Sequence, residues 1–263
     1  MNLDFICYPI GMLVKLLYDM VSVLDTKILS AYAISIILAT VMFKLVLMPL
    51  TLKQTKSMKV MQDLGPKVKE IQEKYGKDPQ TLQRKQAELY KEAKYNPMSG
   101  CLPMLIQMPI LIAFFYVIQR PVDFIFQDQA FYDSMNKSFL WIKDLGFAEN
   151  FLFNAADISS VNGLSMFGAS FPFIGSAVPI LAAMSGFTTY LTSKMTAASQ
   201  PSMNEQQAST QKTMTMMMPV MLFIFSIQFP AGLALYWVVS NMFQVVQQYV
   251  ILNSSKKPGE ELK

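Results

Sequence analysis

Within the stretch AISIILATVMFKLVLMPL, Ala33 to Leu50, a single side chain carries charge, and it is Lys44. An ammonium among apolar residues can attract an anion, gate an ion path or hold water, and near mid-membrane it costs about 2.5 to 3.5 kcal/mol even on lenient insertion scales. Thr40, Lys44 and Thr51 share one helical face at about 100° per residue. Further along, Tyr236, Ser240, Gln244 and Gln248 recur every four residues with Gln247 alongside, while Gln107 and the group Ser185, Thr188, Thr189 and Thr192 add isolated polar positions. Small hydroxyl and amide groups of this kind join helices by hydrogen bonds worth about 0.6 to 2 kcal/mol each, or line a wet cavity.

Other chemistry is closed. The chain has no histidine and two distant cysteines, Cys7 and Cys101, so no soft-metal site and no Ser/His or Cys/His nucleophile pair can be assembled. Neither GxxxxGK[ST] nor GxGxxG occurs, which removes the familiar nucleotide loops. No catalytic residue, metal or cofactor is expected.

The elements that position these residues are membrane helices. Of 263 residues 52% are hydrophobic and 15% charged, too apolar for an ordinary soluble domain. About 20 apolar residues cross a bilayer as a helix, and five segments qualify: 28–52, 97–119, 173–193, 213–228 and 233–252, the fourth only barely. The last four contain no Asp, Glu, Lys or Arg. Lys44 therefore has no acid within any span to pair with. Its stem could snorkel toward the boundary near Lys53, but a helical side chain leans toward the helix N-terminus, away from that boundary. This favours a hydrated cavity.

Residues 53–96 hold eleven Lys or Arg against six acids, and residues 120–172 three against six. Positive charge marks the cytoplasmic side. The first connection is thus placed inside, the second outside, the N-terminus outside, and the short tail 253–263 inside, in the plasma membrane. Residues 1–27 show no signal-peptide pattern. Leu13, Leu16, Leu17, Met20 and Leu24 define an amphipathic helix expected on the outer interface.

In the basic connection, Met58, Met61, Leu64, Val68, Ile71 and Tyr75 form one helical stripe, and the YGKDPQ segment supplies a stop and a new start. A second helix follows with Leu82, Leu89 and Ala93 as its seam. The prediction is an antiparallel cytoplasmic hairpin, bent near Gly65-Pro66. Its charges suit two roles that both remain open: topology and anionic lipid, or a polyanionic partner such as a ribosome and an incoming chain. Residues 194–212 are read as a cytoplasmic loop. A methionine group, Met214, Met216, Met217, Met218 and Met221, suits either core packing or a surface for varied apolar partners. The outer stretch 150–171 yields no structural reading.

Three motifs in order, FKLVLMPL followed by the basic hairpin, NPMSGCLPMLIQMPI, and FPAGLALYWVVSN, resemble the YidC/Oxa-type membrane protein insertases. The resemblance spans Ala31 to Leu252. It implies an all-α polytopic protein that takes newly made membrane proteins into the bilayer, alone or beside the Sec translocon, without ATP of its own. It also implies a hydrophilic inner-leaflet groove with its basic residue at Lys44, a threonine at Thr40 and a substrate-contacting aromatic pair at Tyr236 and Trp237. Ser240, Gln244 and Gln107 join this set from their polar placement. The family's groove residue is usually arginine, so Lys44 is a departure. The chain otherwise looks like the compact Gram-positive form. The competing class is a solute or ion transporter gated by Lys44, against which stands the lack of an inverted repeat.

Overall fold

The computed structural model describes residues 4–93, 95, 102–148, 165–166, 169–170, 179–198 and 205–254. Helix dominates them, as long apolar runs require: without water nearby, each backbone N–H and C=O must be satisfied inside its own segment. In chain order these are α1 (Asp4–Val21), α2 (Ala31–Tyr75), α3 (Pro79–Glu92), α4 (Leu102–Gln119), a π-helical turn (Val122–Phe126), α5 (Gln129–Ser134), α6 (Ile180–Ala198), α7 (Glu205–Gln228) and α8 (Ala231–Ser254). One two-residue antiparallel strand pair, Ser165–Met166 with Ala169–Ser170, lies between α5 and α6. Among the described residues, Asp4–Leu24 and Ala31–Tyr75 are each long and apolar enough to cross a membrane.

The main core forms where α1, α2, α4 and α8 converge, around Ile10, Tyr32, Ile36, Phe114, Leu233 and Tyr236. The segment after α4 closes one end of it. Phe126 and Leu145 enter the core, and the first amides of α8 are satisfied by carbonyls of this segment: Ala231 N donates to Phe147 O at 2.7 Å and Gly232 N to Leu145 O at 2.9 Å. The start of α2 is fixed as tightly, since Ser30 Oγ accepts from Ala33 N at 3.1 Å and Asp25 Oδ1 from Ala31 N at 2.8 Å. Such side-chain oxygens meet amides that have no partner within the first turn. On the other side, α6 packs on both α7 and α8, with Gly186 letting it approach Pro219 O and the Phe223 side chain.

Several boundaries differ from those expected. The first span and the first arm of the hairpin are one helix, α2, of 45 residues, and it runs without a break through Pro49 and Pro66. Proline removes one helical hydrogen bond, but the stripe Met61, Leu64 and Val68 is buried against Tyr90, with Leu89 and Ala93 packed alongside. That burial holds the helix together across Pro66. The expected loop 194–212 is also largely helical, because α6 continues to Ala198 and α7 begins at Glu205, which makes the short fourth span a 24-residue helix. Residues 97–101 and 199–204 lie outside the described residues, as do Cys101 and most of 150–171.

The N-terminal helix is present, and it packs on the protein through a face other than the apolar stripe read from sequence. Its buried face is Cys7, Ile10, Gly11, Val14 and Leu17, so of the apolar stripe read from sequence only Leu17 is buried. Phe5, Met12, Leu16 and Met20 are exposed. α1 has two apolar faces, one against the protein and one outward; a hydropathy pattern cannot tell which is which. Gly11 decides the matter locally, since a Cβ there would collide with the Phe124 backbone carbonyl, its carbon lying 2.7 Å away.

Gly11→Ala is therefore expected to destabilise the fold by about 1 to 3 kcal/mol, as overpacking does, seen as a lower thermal midpoint in detergent. An unchanged midpoint would contradict this packing of α1. A second expectation concerns the hairpin turn. Asp78 caps α3: Thr81 Oγ1 donates to Oδ2 at 2.5 Å, and the Gln80 and Thr81 amides to Oδ1, each at 3.2 Å. These bonds, the Thr81 hydroxyl's first, hold its carboxyl below the usual range. A depressed folded pKa means the cap is at full strength above the ordinary carboxylate pKa of about 4 and fades as pH falls through the lower folded value. Amide exchange at Gln80 and Thr81, corrected for intrinsic rates, should lose protection on acidification, and Asp78→Asn should remove that dependence.

Candidate functional site: a lysine among neutral partners

Lys44 lies in the middle of the apolar part of α2 and is partly buried. Its Nζ donates to Gln107 Oε1 on α4 at 3.3 Å. The same amide then donates through Nε2 to the Tyr236 hydroxyl on α8 at 3.0 Å. An amide is the group suited to this place, because it accepts at one end and donates at the other. Three helices are thus joined by one chain of hydrogen bonds, in which Lys44 carries the charge and both partners are neutral.

Aromatic packing fixes the chain from below. Tyr236 stacks on Phe114, centroids 4.3 Å apart with planes at 19°, and Phe43 meets Phe114 edge-on at 5.7 Å. Tyr236 is 2% exposed, so its ring is locked and only its hydroxyl is available for chemistry. Ser240, one turn along α8, is buried beside that hydroxyl. Trp237 is partly buried and packs on the core. Thr40, one turn before Lys44, is wholly buried, and its hydroxyl donates to Ile36 O at 2.7 Å within its own helix. Gln244 is partly buried and makes no hydrogen bond among the described residues.

The remaining polar positions separate into another group. Ser185 and Ser226 share a hydrogen bond at 2.7 Å between α6 and α7, and Asn241 Nδ2 on α8 donates to Thr189 Oγ1 at 2.8 Å and Thr188 Oγ1 at 3.3 Å. Thr192 bonds to carbonyls of its own helix. These are helix-joining contacts. Nearer the hairpin, Gln247 Nε2 donates to Thr51 Oγ1 at 2.6 Å and Gln248 Nε2 reaches Thr196 Oγ1 at 3.5 Å. Close by in sequence, Gln54 Nε2 and Gln248 Oε1 are buried with no partner among the described residues.

Sequence reasoning did not single out Asn241, Ser226 or Phe114. Asn241 and Ser226 carried a usable signal, as polar groups inside uncharged helices. Phe114 carried none, one phenylalanine in an apolar run being like another. Of the α7 methionines, Met214, Met216, Met217 and Met221 are exposed and Met218 is partly buried, so core packing does not account for most of them. Among the described residues no group of three or more His, Cys, Asp or Glu could hold a metal.

Residues 24–258 match the family model described as 60Kd inner membrane protein. The chain belongs to this family. The resemblance carried by the three sequence motifs holds, and so does the all-α architecture. Among members of the 60Kd inner membrane protein family, the chain is 37% identical over 236 residues to the membrane protein insertase YidC of Clostridium perfringens, covering 88% of this chain and 84% of that protein. It is 37% identical over 235 residues to membrane protein insertase YidC 1 of Listeria monocytogenes serotype 4b, covering 88% and 67%. With the YidC of Pelodictyon phaeoclathratiforme identity is 38% over 222 residues, 84% of this chain but 33% of that protein, so the chain spans about a third of that relative's length. An active YidC insertase crystal structure with its first transmembrane domain resolved has a similar fold, with a TM-score of 0.57 and 28% identity over 95% of this chain and 47% of that one.

If the Lys44, Gln107 and Tyr236 chain acts as a unit, Tyr236→Phe and Gln107→Leu should each cost about 0.6 to 2 kcal/mol in unfolding from detergent. Combined, they should cost less than their sum, because either change already breaks the shared bond. Strict additivity would show that the two groups are independent.

Proposed function

We propose that this protein inserts newly made membrane proteins into the bilayer through a hydrophilic site centred on Lys44, alone or with the Sec translocon. The observation that carries the reading is the pairing of Lys44 with a neutral amide, itself held by a phenol, in place of an acid. An ion pair would cancel the ammonium's field. An amide held in place by a phenol orients it and leaves its charge free to act on something else.

In this reading five helices span the plasma membrane, with the N-terminus outside and the C-terminus inside, and the basic hairpin faces the cytoplasm. An acidic or polar segment of an incoming chain is drawn toward Lys44, which shortens the apolar distance that segment must still cross. Transfer of the substrate's own hydrophobic helix into lipid, worth about 25 cal/mol per Å² of apolar surface, then drives completion. The protein lowers a barrier, supplies no fuel and makes or breaks no covalent bond. Family membership and the insertase names of the relatives support the reading. So do the outward methionines of α7, whose flexible thioethers suit many different apolar partners, and the unpartnered buried amide atoms of Gln54 and Gln248, which call for solvent. A ribosome contact through the hairpin at 53–96 belongs to the same proposal, its support being the eleven basic residues there.

Lys44→Arg should retain insertion, and Lys44→Glu should lower it by about tenfold or more for substrates with acidic outer segments, a reversal of charge being worth well over 1.4 kcal/mol in a poorly solvated site. Full activity of Lys44→Glu would remove the electrostatic step. Stalled nascent chains should crosslink to photoreactive probes at Gln244 and Trp237 while a transmembrane segment passes, and a transporter of small solutes would capture none.

A further inference from the structure

At the end of α2 away from the hairpin, a cleft of about 540 Å³ is lined by Lys27 and Lys143, with Asp25, Asn136, Leu140 and Trp141 among its other walls. The walls are held by backbone: Leu140 N donates to Ile28 O at 2.6 Å and Ser30 N to Ser138 O at 2.9 Å, while Ser138 Oγ donates to Lys27 O at 3.0 Å. The 136–145 segment is thereby fastened against the approach to α2, and the cleft between them is a built feature.

Its charge is unbalanced. Neither Lys27 nor Lys143 takes part in any ion pair among the described residues. The one carboxylate present, Asp25, is engaged elsewhere: its Oδ1 accepts from Ala31 N at 2.8 Å and from Asn136 Nδ2 at 3.2 Å. Two lysines thus line the cleft against one carboxylate that serves as a helix cap. Leu140 in the wall is 50% exposed, and in the chain flanking Asp25 and Lys27 the apolar residues Val23, Leu24 and Ile28 are 91%, 60% and 62% exposed. Lys27 directly precedes the apolar run that begins at Ile28, and a tryptophan at this level is the usual companion of a membrane boundary.

We propose that this cleft binds the headgroup phosphate of an anionic phospholipid. Lys27 and Lys143 would donate to the phosphate oxygens, and the acyl chains would lie along Val23, Leu24, Ile28 and Leu140. A soluble phosphate satisfies the lysines and leaves the apolar rim in water; a zwitterionic lipid covers the rim and brings its own cation to the lysines. An anionic phospholipid satisfies both. The site rests on the chain's place in a membrane and is independent of how Lys44 works.

The test uses the full chain in phosphatidylcholine nanodiscs doped with a photoreactive phosphatidylglycerol, or with a phosphatidylcholine bearing the same reactive group, and maps labelled peptides by mass spectrometry. Phosphatidylglycerol should label residues 23–28 and 140–143 in preference to phosphatidylcholine. Lys27→Gln and Lys143→Gln should each lower that labelling about fivefold, and Lys27→Arg with Lys143→Arg should preserve it. Equal labelling by the two lipids of the unaltered chain would overturn the proposal whatever the variants do. So would undiminished labelling of a folded double Gln variant, and displacement of the lipid probe by excess glycerol phosphate would reassign the cleft to soluble anions.

Discussion

A lysine without a counter-charge has to be stabilised by dipoles, and dipoles are weak enough that several must be brought to it from different directions. Lys44 receives the carbonyl end of Gln107, and Gln107 is held in turn by Tyr236. Because these groups sit on α2, α4 and α8, the three helices must converge at one level. Much of the surrounding packing serves that convergence. Small residues open α8 to its neighbours: a Cβ on Gly232 would lie 3.2 Å from Ile118, 3.3 Å from Leu145 O and 3.4 Å from Ile36. The Phe43, Phe114 and Tyr236 rings then fill the space beneath the hydrogen bonds.

The polar residues of the bundle consequently divide by how completely they are satisfied. Between α6, α7 and α8 most of the hydroxyls and the Asn241 amide pair with one another, the buried Oε1 of Gln248 excepted, and this side is largely structural. Between α2, α4 and α8 the bonding is looser and includes a cation. One small bundle thus holds both a largely paired polar helix interface and a cation that, among the described residues, is bonded only to a neutral amide.

Much of this was legible in the letters. Charge-free spans marked the helices, YGKDPQ marked the hairpin turn with Asp78 and Pro79 in capping positions, and Lys44, Gln107 and Tyr236 stood out as polar groups in apolar surroundings. What could not be read was where each helix stops and which face it turns inward. Pro66 argues locally against an unbroken helix, which the packing of Met61, Leu64 and Val68 maintains across it. That α1 also buries a second apolar face, with Ile10 and Val14, depends on a glycine meeting a distant carbonyl. Thr40 is similar, because period alone cannot reveal that its hydroxyl returns to Ile36 O.

The continuity of α2 has a mechanical meaning. At about 1.5 Å per residue, its 45 residues form a rod of about 68 Å that carries Lys44 in its apolar half and the basic hairpin at its far end. No loop lies between the two to absorb a displacement. A load that tilts the hairpin therefore acts as torque on the helix that holds the ammonium, so that the basic end and the buried lysine are two ends of one lever.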